Sequence, residues 1–97
     1  MKVRNEILAL KDEVIRHRRW LHQYPEIGFD VTKTRDYILD VLNNLDFDEV
    51  NILANTGIKA VIKGKNSKGV YAFRADMDAL SMEEQTGLDY ASRFKGR

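Results

Sequence analysis

Cysteine is absent from this chain, and proline occurs once, at Pro25. The first absence removes disulfides and thiolate chemistry from these 97 residues and agrees with a reducing cytoplasm. The second leaves a single fixed interruption for any helix that precedes it. Long apolar runs are also missing. No stretch approaches the ~20 residues needed to cross a bilayer, and the opening Met1-Lys2-Val3-Arg4-Asn5-Glu6 carries charge without an apolar signal-peptide core. Charge of one sign is lacking too: 16 Lys and Arg against 15 Asp and Glu leave a formal net charge of +1. That balance argues against a nucleic-acid footprint, which shows as a basic stripe, and implies no strongly acidic or basic partner. The chain therefore reads as soluble and cytoplasmic, with no membrane segment.

What is present describes an ordinary globular domain, 43% apolar and 32% charged. A chain of this size buries roughly 60–70% of the surface its unfolded state exposes, so residues 1–97 read as one domain with no room for a second core. Val3, Ile7, Leu10, Val14, His17, Leu21 and Tyr24 recur at spacings of three and four, opposite Lys11, Asp12, Glu13, Arg16 and Arg19. This pattern predicts one amphipathic helix of about twenty residues ending before Pro25. The connection Pro25 to Asp30 leads to a second helix, capped by Thr32 or Thr34, with Tyr37, Ile38, Val41, Leu42 and Leu45 as its buried stripe. Strands are expected at Glu49–Ala54, Ile58–Gly64 and Gly69–Ala75, joined by turns at Asn55-Thr56-Gly57 and Lys65-Asn66-Ser67-Lys68. Connections this short impose antiparallel pairing, giving an α/β chain in the order α-α-β-β-β followed by a polar tail from Ser81.

Chemistry concentrates at Arg74-Ala75-Asp76-Met77-Asp78-Ala79-Leu80. The preceding Val70-Tyr71-Ala72-Phe73 is apolar without interruption, as in a central strand covered on both faces, and sites in α/β folds gather at such strand ends. Carboxylates two apart on a strand point to opposite faces, so Asp76 and Asp78 reach one site only where the strand ends and turns. There a carboxylate can bind a hard cation, orient a histidine that ligates a metal, or act as a general base. It can equally cap the loop or pair with Arg74. The tail after Asp78 supplies no His and no Cys to complete a metal site.

Other candidates carry structural readings beside their functional ones. His22, at the end of the first helix, suits a ligand or acid–base role, but its cation is also favoured there by the helix dipole. His17 lies on the apolar stripe and reads as a hydrogen-bonded core residue. Arg16, Arg18 and Arg19 read as a solvated face, and Trp20 as a packing anchor. Glu83 reads as a solvated loop residue, whereas Glu84 stays open between that role and a place in a site near Asp78.

Three blocks taken together carry more information than any one of them: Arg18-Arg19-Trp20-Leu21-His22-Gln23-Tyr24-Pro25-Glu26-Ile27-Gly28-Phe29, Asn55-Thr56-Gly57-Ile58-Lys59-Ala60, and the segment from Arg74 to Leu80. In this order and spacing the chain resembles the N-terminal portion of the amidohydrolase branch of the aminoacylase/carboxypeptidase metallopeptidases, from about Arg16 to Gly96. The resemblance implies a truncated piece of a three-layer αβα, zinc-peptidase-like catalytic domain. It also implies two-metal hydrolysis of an N-acyl amino acid or related amide, with zinc or manganese and a glutamate base. Asp78 then corresponds to an aspartate that orients a metal ligand, and Asp76 stands where related branches place a ligating histidine. Ser81 replaces a proline common in the family. The family's Met-His-Ala-Cys-Gly-His-Asp block, with its Cys and second His as ligands, follows the matched region, so the resemblance places the metal ligands and the catalytic glutamate outside these 97 residues.

The leading expectation is therefore a hydrolase fragment, inactive alone, that binds no cofactor by itself. A competing expectation is a non-catalytic module that self-associates through an exposed sheet edge or by swapping an element. A third makes Asp76-Met77-Asp78 a magnesium-dependent phosphotransfer pair, which requires further acids and a lysine. The last is a small α+β domain with no activity.

Overall fold

Three helices precede two strands in the computed structural model: α1 (Asn5–Leu8), α2 (Lys11–Gln23), α3 (Thr32–Asn43), β1 (Glu49–Leu53) and β2 (Gly57–Val61). It describes residues 2–66 and 68–97; Met1 and Ser67 lie outside the described residues, and with Ser67 part of the expected turn at 65–68. The α/β character expected from the sequence is present. The chain divides into two compact units, one of Met1–Pro25 with Leu80–Arg97 and one of Glu26–Ala79. No helix among the described residues is long and apolar enough to cross a membrane.

In the first unit the single long helix expected before Pro25 is broken at Ala9 and Leu10. The Leu10 amide reaches back only three residues, to the Ile7 carbonyl at 3.0 Å, and regular α-helical bonding resumes with Val14 to Leu10. The cause is lack of burial. Ile7, Leu10 and Val14 are exposed, and a short helix without a packed face gains little over its nucleation cost. Helix α2 is better supported: Trp20 packs on Tyr24 with ring centroids 4.9 Å apart, and Tyr24 meets the edge of Phe94 at 6.5 Å. The segment 81–97 has no helix or strand but is tied down, with the Arg93 amide donating to the Gln23 carbonyl at 2.8 Å and its guanidinium to the Gln23 side chain.

In the second unit α3 lies against both strands of the hairpin. Val31 and Thr34, at the start of α3, are the buried apolar and polar residues among those described in this unit, while Tyr37, Ile38, Val41 and Leu42 are half-buried and Leu45 is exposed. Neither Thr32 nor Thr34 caps the helix as expected. The N-cap position is Val31, whose side chain cannot accept a hydrogen bond, and the Glu26 carboxylate performs that task instead. The hairpin is antiparallel, pairing Glu49 with Val61 and Leu53 with Gly57. Its turn is Ala54-Asn55-Thr56, one residue earlier than expected, with Ala54 (φ 51°) and Asn55 (φ 68°) in the left-handed region. Asp48 fastens the open end, its amide donating to the Val61 carbonyl at 2.9 Å and its carboxylate accepting the Lys63 amide at 2.5 Å.

The third strand, expected at Gly69–Ala75, is not formed. Val70, Tyr71 and Phe73 are 95, 93 and 100% exposed. A run apolar on both faces is held in a sheet by cover on both faces, and among the described residues nothing supplies it. What remains of sheet pairing nearby is one parallel bridge, between Ile27 and Ala79.

Candidate functional site

The acid motif and the connection after Pro25 meet in the second unit. The Ala79 amide donates to the Glu26 carbonyl at 2.7 Å, and this bond anchors the chain immediately after Asp78. The side chain of Glu26 turns the other way: Oε1 accepts the Thr34 amide at 2.6 Å and the Thr34 hydroxyl at 2.7 Å, and Oε2 accepts the Lys33 amide at 3.4 Å. An anion at a helix N-terminus satisfies free amides and complements the macrodipole. Glu26 thus couples the start of α3 to the end of the acid motif. Its spacing to Thr34 is no standard capping pattern, and the sequence reading missed it.

Asp76 and Asp78 are both exposed. Asp76 pairs with Arg74 at 2.7 Å, with both side chains largely in solvent, which is the structural reading of this acid. Exposed pairs of this kind contribute about 0–1 kcal/mol. Asp78 projects from the residue next to the Ala79 anchor. Among the described residues no three His, Asp or Glu side chains come together in a group able to hold a metal ion. These residues by themselves therefore do not fit a dinuclear centre.

In the first unit His22 and Glu84 form a polar node. The His22 Nε2 lies 2.8 Å from Glu84 Oε1, which also accepts the Ser92 amide at 2.8 Å, while Oε2 accepts the Thr86 hydroxyl. A carboxylate only accepts, so Nε2 carries the hydrogen in this contact. The Thr86 hydroxyl above all, then the Ser92 amide and His22, lower the Glu84 pKa from 4.5 to about 2. Tyr90 stands beside the node, its ring at 5.9 Å from the His22 ring and under the Arg19 guanidinium at 4.4 Å. Arg18 approaches the same ring at 5.7 Å, so the expected solvated arginine face is in part a stacking surface. His17 faces Glu13 across one helical turn at 3.5 Å. Glu83 accepts the Gly96 amide rather than standing free in a loop. The pairing of His22 with Glu84 spans 62 residues, and no periodicity in one sequence signals it.

The same arrangement of elements occurs in known proteins. Over 91% of its length the chain superimposes on the YXEP protein of Bacillus subtilis, a dinuclear metal-binding peptidase of the M20 family, with a TM-score of 0.84 and 38% identity. It is 45% identical over 87 residues to the N-acetyldiaminopimelate deacetylase of Bacillus velezensis, and 44% over 86 residues to that of Bacillus subtilis. The chain matches a fragment of an M20 amidohydrolase in both sequence and fold. It spans about a quarter of the length of these M20 relatives: 23% of each deacetylase and 25% of the solved peptidase. No protein-family model matches the chain. Its α/β elements are therefore part of an M20 peptidase fold, and the hydrolase ancestry implied by the three motif blocks holds. The dinuclear metal content belongs to the solved relative.

Proposed function

We propose that this chain supplies the first helices and strands of an M20 amidohydrolase that cleaves N-acyl amino acids or related amides, and that it is inactive by itself. In such a reaction water adds to the acyl carbonyl, the C–N bond breaks, and the nitrogen leaves with a proton as the free amine. The observation that carries the reading is the 45% identity to an N-acetyldiaminopimelate deacetylase, which favours an N-acetylated amino acid as substrate. Inactivity alone is supported by the exposure of Asp76 and Asp78 and by the lack of a three-ligand group among the described residues. In this reading residues 1–97 are one part of a single catalytic domain acting in the cytoplasm, and the metals of the complete enzyme are zinc or manganese. Asp78 is a positioning carboxylate that orients a metal-binding histidine from outside this chain, its backbone fixed by the Ala79 to Glu26 bond. Asp76 occupies a ligand-equivalent position but is engaged by Arg74.

Two assays test this. The purified chain, incubated with zinc or manganese and an N-acetyl amino acid, should release no amino acid, and robust turnover overturns the inactive-alone reading. A chimera in which this chain replaces the matching quarter of the Bacillus subtilis deacetylase should hydrolyse its substrate. Within that chimera Asp78→Asn should lower activity about 10–100-fold, the range seen when an outer partner of a metal ligand is removed. An inactive chimera, or an unaffected variant, counts against the assignment.

A second reading, a non-catalytic module that self-associates through the sheet edge, is favoured by the exposure of Val70, Tyr71 and Phe73. Light scattering that shows a monomer over a wide concentration range counts against it.

A further inference from the structure

Within the first unit, residues 84–94 form no helix or strand, and none of residues 80–97 is buried. The segment nevertheless follows the end of α2 closely. Tyr90 lies under the Arg19 guanidinium and beside the His22 ring, Arg93 bonds Gln23 through both its amide and its guanidinium, and Phe94 meets the edge of Tyr24. A stretch held by surface polar and ring contacts, without a buried apolar layer, belongs to the low end of local stability in a folded chain. One atom joins these contacts. Glu84 Oε1 accepts from His22 Nε2 and from the Ser92 amide, each at 2.8 Å, so a single oxygen closes 84–92 into a loop and fastens that loop to the helix. The Thr86 hydroxyl occupies the other oxygen. Directly after Ser92, the Arg93 amide donates at 2.8 Å to the Gln23 carbonyl, one of those that a helix end leaves without an internal partner.

We propose that residues 84–94 are a strap that opens and closes over the end of α2 as one unit, latched by the His22–Glu84 pair. The relative strength of the ties selects the latch. A guanidinium stacked on an exposed ring is a weak contact, whereas a hydrogen bond to an ionised carboxylate is among the stronger ones, and Glu84 collects three of these. Once Glu84 leaves His22, the loop that sets Ser92 is no longer fixed to the helix. The Arg93 amide then parts from Gln23, and the last hydrogen bond of the helix end, from the Tyr24 amide to the Trp20 carbonyl at 3.3 Å, frays with it. The open state uncovers the part of α2 that carries Arg19, His22 and Tyr24, and releases Arg18 and Arg19 from the Tyr90 ring they share. Every contact the strap uses lies within the first unit, so the device stands apart from the hydrolase assignment.

Amide hydrogen exchange of the whole chain, read by NMR at neutral pH, tests the strap. Its reporters are the Tyr24, Ser92 and Arg93 amides, and the Thr34 and Asp48 amides of the second unit serve as controls. His22→Leu removes the donor at Glu84 and should speed exchange of all three reporters by one common factor of about ten-fold or more, the ratio for one hydrogen bond to a charged group. The controls should stay within about two-fold, since their opening is separate. His22→Gln keeps an N–H donor at the same place and should recover most of the protection. The unsubstituted chain supplies a second test that does not depend on a variant folding. In low urea the three reporters should share one opening free energy with a shallower urea slope than Thr34, because a strap exposes less surface than the whole chain. Reporters that open independently of one another overturn the proposal. So does an equal acceleration of reporters and controls in His22→Leu, a urea slope shared with Thr34, or a His22→Gln variant that exchanges like His22→Leu.

Discussion

One carboxylate oxygen, Glu26 Oε1, accepts both the amide and the hydroxyl of Thr34, at 2.6 and 2.7 Å. Through this pair a residue in the connection after Pro25 does the capping that Val31, at the N-cap position, cannot do. The main chain of the same residue holds Ala79, next to Asp78. The first and third motif blocks, some fifty residues apart in sequence, thus share one fixed point in the second unit. The carboxylates at 76 and 78 inherit their backbone placement from it.

Replacing Glu26 by Ala should therefore destabilise the second unit by about 1–2 kcal/mol, the range for loss of a helix cap, because two amides lose their acceptor. Thr34, only 4% exposed, would also hold an unpartnered hydroxyl. Glu26→Gln keeps an acceptor and should cost less than Glu26→Ala. Urea unfolding followed by circular dichroism measures both. Equal stability of the Ala variant and the parent would show that the pair carries no net energy.

The hairpin turn makes an opposite pair of expectations. Ala54 has φ 51°, a conformation that disfavours a Cβ by about 1–2 kcal/mol, whereas glycine adopts it freely. Ala54→Gly should raise stability by about 0.5–1 kcal/mol after the extra freedom of glycine in the unfolded chain is subtracted. At Gly57 the sign reverses. A Cβ there would sit 2.9 Å from the Leu53 carbonyl oxygen, so Gly57→Ala should lower stability by about 1–3 kcal/mol. Thermal melts of the two variants should move in opposite directions.

The sequence made local features legible where period or turn chemistry wrote them. The stripe from Val14 to Leu21, the stripe of α3, and the hairpin around Asn55 all appear near their expected positions. The family was legible because three motif blocks keep their order. What failed depended on partners outside the local pattern. Helix α1 separates from α2 where Ile7, Leu10 and Val14 stay exposed. The strand at Gly69–Ala75 is absent because an apolar run states that cover is needed without supplying it. The Glu26 cap and the His22–Glu84 node arise between residues 8 and 62 positions apart, where no single-sequence periodicity reaches.

The Glu84 node gives a pH expectation with a definite sign. Its pKa is lowered from 4.5 to about 2 by hydrogen bonds from Thr86, Ser92 and His22, all made to the ionised form. A depressed folded pKa contributes stability that is present above the unfolded value of 4.5 and lost as pH falls towards about 2. Exchange protection of the Ser92 amide should therefore be full at pH 5, decline progressively below pH 4.5 and be lost as pH falls through about 2. In Glu84→Gln that pH dependence should be flattened. An NMR titration placing the Glu84 carboxyl at its ordinary value would contradict the node geometry.

Exposure at Phe73 separates folding from assembly. A side chain 100% exposed has no contact to lose, so Phe73→Ser should change the unfolding free energy of the chain by no more than about 0.5 kcal/mol. The same substitution removes an aromatic surface from an unpaired apolar stretch, which should raise the concentration at which the chain stays monodisperse. Urea unfolding reads the first quantity and light scattering the second. A loss of more than about 1 kcal/mol would mean that Phe73 is packed within the chain, leaving no free apolar side chain there for self-association.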